Sequence, residues 1–419
     1  MAPVELSSNR QQALAAWLPE QRWYAAKGAP IGRLWHVEAA GPVEILGVET
    51  AAGAAEYLLS AVERAEVRAS WFELLARGAR LGGRCGEVIF EPLAALAAMA
   101  TSRLLGAEQS NTSVLYLDAA GEPRWVLKLF RRLQSGENPE FELPRALAAA
   151  GFRQVAAPLG RVVYQPAGGE AVTLAVLVPF IPNQGDGWEY VLGELRAGAA
   201  AAGADPSAAS PRTPLLEREL RQLGQRTREL HQALGGLSGE AFAAEPVTAG
   251  DTARWRGRAR AAMEAPELTP YQALLRPWRE ALSAPAAADL AAGPRKSRIH
   301  GDYHLGQTLR TRDDFVIFDF EGEPVRPIAE RRRKGSPLQD VAGMLRSLEY
   351  AAAIAPAPEG WGERARAAFL AGYGEVSAPE LLRFFELEKA VYELSYELRH
   401  RPDWIRVPRS YLERALAAR

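Results

Sequence analysis

The sequence predicts an α+β chain, strand-rich in its N-terminal half and mainly helical in its C-terminal half. Three observations predict it. Short runs of alternating apolar residues fill 31–64 and 103–180, the period of half-buried strands. Beyond 183 the apolar residues recur at helical spacing in a series of long segments. One hairpin pattern, IHGDYHLGQTLRTRDDFVIFDFEGE (299–323), interrupts those helices and carries aspartates at both ends of its apolar part.

From the N-terminus, RQQALAAWL (10–18) reads as an amphipathic helix that QRWYAAKG closes at Gly28. LWHVEA, VEILGVET and EYLLSAVE read as antiparallel strands, and WFELLARGARLGG and EPLAALAAMA as helices around a short VIF strand. VLYLD and RWVLKLF, joined by AAGEP, form a hairpin signal. NPEFELPRALAAAG follows as a helix, with Asn138 as N-cap, Pro139 in first position and Gly151 at its end. RVVYQPAGG and AVTLAVLVPF make a second hairpin. AGAAAAGADPSAASPRTP (197–214) reads as a mobile insertion, with an Ala-rich helix as the alternative. LLERELRQLGQRTRELHQAL, RWRGRARAAMEA, YQALLRPWREAL, SPLQDVAGMLRSLEYAAA, RARAAFLAGYG and PELLRFFELEKAVYELSYELRHR are the helices of the second half.

Composition narrows the function. The 419 residues carry 50 Lys+Arg against 51 Asp+Glu, a net charge of −1. No bulk charge draws in nucleic acid or anionic lipid. The longest apolar run, 171–182, is too short to span a bilayer and is broken by proline. A single cysteine, Cys85, excludes an internal disulfide. With no signal pattern at the start, a cytoplasmic protein is expected.

The aspartates need a positive counterpart, because bare carboxylates avoid a buried strand edge. Phosphoryl transfer supplies one. It requires a carboxylate to orient the acceptor hydroxyl, oxygen ligands for magnesium and a lysine on the phosphates. Asp302 lies on a loop entered through His300 and Gly301, Gln307 offers an amide oxygen, and Asp319 ends the strand FVIF (315–318). Lys128 sits in an apolar strand, where it needs a partner, and Glu140 or Glu142 on the next helix could hold it. Ser110, Asn111, Thr112 and Ser113 form a small polar stretch whose amides and hydroxyls could cover phosphates. In the C-terminal segment Tyr392 and Tyr396 share a helix face beside Glu393 and Glu397, followed by Arg399 and Trp404. Aromatic faces with planar polar groups suit a sugar.

HGDYHLGQ…VIFDFEGEP with ERRRKGSPLQDVAGMLRS resembles the bacterial maltokinases, in the aminoglycoside-phosphotransferase-like branch of the protein-kinase-like fold. EQSNTSVLYLD…WVLKLFRRLQSGENPEFEL, VPFIPNQGDGWEY and ELEKAVYELSYELRHRPDWIRVP extend the resemblance. It implies a bilobal chain: an N-terminal cap subdomain (1–95), a kinase-like N-lobe (96–182) and a helical C-lobe (183–419). It also implies transfer of the γ-phosphate of ATP to the anomeric hydroxyl of maltose, giving maltose 1-phosphate for glycogen or α-glucan synthesis. Asp302 would be the catalytic aspartate, and Gln307 and Asp319 would hold Mg²⁺ with Glu321 as a further ligand. Lys128, paired with Glu140 or Glu142, would contact ATP phosphates, and Pro179, Phe180 and Ile181 would sit beside adenine. His304 counts with the acceptor site, His300 as a structural residue of the loop and Asp340 as its brace. A monomer is expected, with trehalose synthase as the associated enzyme. The alternatives are another sugar, an aminoglycoside or a choline-like acceptor, or an ATP-binding scaffold without turnover.

Overall fold

The computed structural model describes residues 4–106, 110–202, 212–282, 293–324 and 326–417. The chain divides into two units. The first gathers Met1–Ala148, Ala156–Ile181 and Glu323–Arg331; the second gathers Ala149–Val155, Pro182–Gly322 and Arg332–Arg419.

The first unit is built on two antiparallel sheets. Strand β1 (Val4–Glu5) precedes helix α1 (Ser8–Trp17) and the turn at Leu18–Glu20; β2 (Ile31–Ala40), β3 (Val43–Thr50) and β4 (Gly53–Leu59) follow, and β2 pairs back onto β1. Helix α2 (Ala65–Ala76) leads to β5 (Arg80–Gly82), β6 (Gly86–Pro92), β7 (Thr101–Leu105), β8 (Asn111–Leu117), β9 (Pro123–Phe130) and the short β10 (Arg132–Leu133). Helix α3 (Pro139–Ala149) precedes β11 (Gly160–Pro166) and β12 (Val172–Pro179). The five-stranded sheet runs β1-β2-β3-β4-β10 and the seven-stranded sheet runs β5-β6-β11-β12-β9-β8-β7. Trp71 and Phe72 of α2 pack into one core with Ile45, Leu58, Val114 and Leu127 from both sheets.

Local chemistry explains the hairpins. At the β8–β9 turn the Asp118 carboxylate accepts the N–H groups of Ala120 at 2.9 Å and Glu122 at 3.0 Å, while Gly121 takes a φ of +80°. Asn138 caps α3 by accepting the Glu140 N–H at 3.0 Å, and Glu140 and Glu142 lie in its first turn, where their charge suits the helix dipole.

Two sequence expectations need correction. EPLAALAAMA (91–100) is not a helix: β6 ends at Pro92 and the stretch to β7 is irregular. The β6 and β7 it joins lie far apart in one sheet. Its ends are tied to distant backbone, Leu93 N–H to Leu159 O just before β11 and Ala100 N–H to Leu117 O of β8, each at 2.8 Å. Tertiary hydrogen bonding overrides alanine's helix propensity here. The expected insertion at 197–214 is helical at both ends, since α4 (Gly187–Ala202) and α5 (Arg212–Gly236) reach into it; 203–211 lies outside the described residues.

The second unit holds α4, α5, α6 (Ala249–Met263) and α7 (Gln272–Ala281). The strands β13 (Glu245–Pro246) and β14 (Arg295–Lys296) form a small ribbon, and β15 (Thr308–Arg310) and β16 (Phe315–Ile317) form the hairpin. Helices α8 (Leu338–Ile354), α9 (Trp361–Tyr373), α10 (Pro379–His400) and α11 (Arg406–Ala417) complete it. Helices α5 and α9 cross closely through glycines: a Cβ on Gly224 would collide with Phe369 O, and one on Gly372 with Arg221 O. Among the described residues no helix is long and apolar enough to cross a membrane.

Candidate active site

In the first unit Lys128 lies in β9, opposite Ser113 of β8 and Val176 of β12. Its Nζ stands 4.0 Å from Glu140 Oε1, with both side chains 11% exposed, and 5.7 Å from the Phe130 ring. The buried acidic neighbour placed by this geometry is Glu140; Glu142, two residues on, is half-buried. The register sorts the small polar stretch. Partners across an antiparallel pair share a face, and faces alternate along a strand. Ser113 and Asn111, opposite Lys128 and Phe130, therefore share the lysine's face. Thr112, opposite Leu129, faces the other way and accepts a hydrogen bond from Arg131 Nε at 2.8 Å. Ser110 lies just before β8 and Asn111 Nδ2 donates to its hydroxyl at 3.3 Å. Pro179 pairs with Trp125 at the end of β12, the Phe180 N–H continues the ladder to Arg124 O at 2.8 Å, and Ile181 is half-buried.

In the second unit the loop His300–Asp302 is fixed from below. Asp340, 1% exposed, accepts the His300 N–H at 2.8 Å and the Gly301 N–H at 2.9 Å. His231 Nε2 lies 3.2 Å from the same carboxylate, and its Nδ1 lies 3.0 Å from the Tyr373 hydroxyl. Burial pushes the Asp340 pKa up, but His231, the charge of His300 and the Gly301 N–H outweigh it and hold the group below the usual aspartate value. His300 Nε2 lies 2.9 Å from Phe318 O, and its ring packs on Tyr303 and Phe320 at centroid distances of 5.3 and 4.8 Å. Gly301 takes a φ of +85°, and a Cβ there would come within 4.0 Å of the Gly322 backbone.

The hairpin register gathers the remaining groups. Thr308 pairs with Ile317, and the Phe318 N–H donates to Gln307 O at 3.1 Å, so Gln307 and Asp319 lie one step apart across the ladder. Asp319 has a φ of +64°, the only positive value at a non-glycine among the described residues. Such backbone is costly and is held where the surroundings impose it. The charges of both Asp302 and Asp319 act on His304, whose pKa is lowered chiefly by burial. Its Nδ1 accepts the Gly306 N–H at 3.1 Å. Glu321 is buried two residues beyond Asp319. Among the described residues no three His, Cys, Asp or Glu side chains cluster to hold a metal. A carboxylate with an amide oxygen does fit magnesium, which takes one or two protein oxygens and completes its shell with phosphate oxygens and water.

Along α10 the predicted acceptor residues separate. Lys389, Tyr392, Tyr396 and His400 form one stripe: Lys389 Nζ lies 3.7 Å from Asp302 Oδ1 and 5.4 Å from the Tyr392 ring, the tyrosines stack at 6.3 Å, and Tyr396 meets His400 at 4.6 Å. Glu393 and Glu397 point elsewhere, into the interior. Glu393 pairs with the buried Arg346 at 2.8 Å, and Glu397, 1% exposed, accepts from the Tyr350 hydroxyl at 3.0 Å and from Arg401 at 2.7 Å. Arg399 pairs with Glu267 at 3.0 Å. Trp404 packs against Trp188, Tyr350 and Arg401. Helical spacing puts each glutamate one residue on from a tyrosine, and that rotation of about 100° turns it toward α8. Sequence reasoning missed Lys389, although its place three residues before Tyr392 on the same face was a signal. His231 and Tyr373 left none.

The fold is protein-kinase-like, and the molecule is a phosphotransferase. Residues 101–385 match the phosphotransferase enzyme family, to which this chain belongs. Its relatives include a glucosamine kinase of Mycolicibacterium smegmatis, 32% identical over 73% of this chain and 77% of the relative. A glucosamine kinase of Streptacidiphilus jiangxiensis is 29% identical over 76% and 74%. Among solved structures, a glucosamine kinase in crystal form B superposes with a TM-score of 0.69 at 24% identity, over 97% of this chain and 99% of that one. Another, in complex with glucosamine, ADP and inorganic phosphate, gives 0.66 at 24% identity over 98% and 100%. These structural likenesses establish the shared fold.

Proposed function

We propose that the chain is an ATP-dependent sugar kinase whose acceptor is an amino sugar of the glucosamine type. The observation that carries the kinase reading is the braced Asp302 loop beside the Gln307–Asp319 hairpin. The amino-sugar acceptor rests on the two relatives, both glucosamine kinases. Maltose, suggested by the sequence resemblance, becomes a comparison substrate, and with it α-glucan synthesis and a trehalose synthase partner lose their support.

In this reading Asp302 orients the acceptor hydroxyl and accepts its proton late, since a loose transition state demands little deprotonation. Lys389 holds Asp302 by one oxygen and offers N–H groups to sugar oxygens, while Tyr392 and Tyr396 give the sugar ring an apolar face. Lys128, oriented by Glu140, binds the ATP phosphates. Gln307 and Asp319 are the residues that would hold magnesium, with Glu321 behind them. The ion would neutralise the charge on the transferring phosphoryl group.

The test is ADP release from Mg-ATP with glucosamine, glucose, maltose, an aminoglycoside and choline offered in turn, with Asp302→Asn as control. Release driven by glucosamine and abolished in the variant supports the reading. Release driven by maltose or choline instead would keep the kinase and remove the amino sugar.

A further inference from the structure

The chain leaves the lysine strand and enters the other sheet in a single step. Strand β9 ends at Phe130, and β10 starts at Arg132, where Arg132 pairs with Tyr57 and Leu133 with Glu56 of β4. Arg131 is the junction. Its carbonyl accepts the Leu58 N–H at 2.8 Å, and its side chain is buried. The guanidinium stands 5.3 Å from the Trp23 ring and donates to Leu58 O at 3.2 Å and Ser60 O at 3.4 Å. From its other edge it donates to Thr112 Oγ1 at 2.8 Å.

Burying an arginine among neutral acceptors is expensive, and an apolar residue would fill the junction at lower cost. Desolvation pulls its pKa down to about 10, with the Glu63 charge opposing. What the arginine adds is reach. It grips the back of β8 at Thr112 through Nε while the rest of its guanidinium is held against β4 and Trp23. The front of that strand pair presents Ser113 and Lys128.

We propose that Arg131 is a positioning residue through which the N-terminal five-stranded sheet holds the nucleotide-binding face of β8 and β9 in place, with Thr112 as the point of contact. The N-terminal sheet then belongs to the ATP-binding machinery. The proposal rests on the reading of Lys128 as the lysine on the ATP phosphates.

The experiment is calorimetric titration of the full chain with a magnesium complex of a non-hydrolysable ATP analogue. Thr112→Val, Arg131→Met, Arg131→Lys and Lys128→Met are compared with the parent, and KM for the sugar acceptor is measured in parallel. Thr112→Val and Arg131→Met are expected to weaken analogue affinity about tenfold, the loss of one charge-assisted hydrogen bond. Arg131→Lys should fall between, and acceptor KM should stay within about twofold. If Thr112→Val folds, melts lower and binds the analogue within about twofold of the parent, Arg131 is a structural bridge only and the proposal is overturned. Thr112→Val decides the matter should Arg131→Met fail to fold. If Lys128→Met leaves affinity unchanged, the ATP reading itself falls and takes the proposal with it. Loss in Lys128→Met without loss in the Thr112 and Arg131 variants overturns the proposal alone.

Discussion

Lys389 Nζ stands 3.7 Å from Asp302 Oδ1, joining the helix that carries the tyrosine stripe to the loop that carries the candidate catalytic carboxylate. Both side chains are partly open, at 32% and 26%. The pair therefore adds little to stability, and its position beside an exposed aromatic face points to the acceptor. Lys389→Met is expected to raise the acceptor KM about tenfold, as loss of a hydrogen bond to a charged group does. Melting temperature and ATP affinity should be unchanged. Steady-state kinetics in both substrates measures this.

Asp302→Asn keeps size and hydrogen-bonding shape but removes the charge that, in the proposed sugar-kinase reading, orients the acceptor and finally accepts its proton. A fall in kcat of at least about a hundredfold is expected, the range for loss of a general base. Nucleotide binding should persist, measured by titration of the same preparation.

Glu393 and Glu397 give the opposite expectation. Each is buried and paired, Glu393 with Arg346 and Glu397 with Tyr350 and Arg401. Glu393→Gln removes one of the two carboxylates paired with the buried Arg346 and leaves it with Glu349, and breaking a buried pair costs up to about 3–5 kcal/mol. Thermal unfolding should shift down strongly while the surviving folded fraction keeps the parental acceptor KM. A changed KM with intact stability would return Glu393 to the sugar site.

Asp340 links stability to pH. Its folded pKa is depressed below the ordinary 3.8 despite burial, chiefly through His231, with the charge of His300 and the Gly301 N–H adding to it. A carboxylate depressed on folding stabilises fully above its unfolded pKa and loses that contribution as pH falls through the folded value. Asp340→Asn should lose stability at neutral pH and show a flatter decline as pH falls below about 5, read by urea unfolding at each pH. Its kcat should fall as well, because asparagine offers one oxygen where His300 and Gly301 use two, so one of these loop N–H groups loses its acceptor.

Much of this was legible in the sequence because the signals are local. The β8–β9 turn is written in Asp118 and Gly121, the α3 cap in Asn138 and Pro139, and the aspartate hairpin in the spacing of Asp302, Gln307 and Asp319. What was not legible depends on distant contacts. The Ala-rich stretch after Pro92 has helical propensity and no helix, because Leu159 and Leu117 claim its end N–H groups. Tyr392 and Glu393 are neighbours in sequence, yet one is exposed and the other sealed by Arg346, and only the packing of α8 against α10 decides which. His231 meets Asp340 across 109 residues of sequence, a pairing that no local pattern announces.

The most direct measurement of the central claim is identification of the product. The purified chain is incubated with Mg-ATP and glucosamine, and the mixture is read by ³¹P NMR and mass spectrometry beside the Asp302→Asn variant. In the sugar-kinase reading the parent gives stoichiometric ADP and phosphorylated glucosamine and the variant gives neither. Nucleotide binding without a phosphorylated product from glucosamine, glucose or maltose would contradict it.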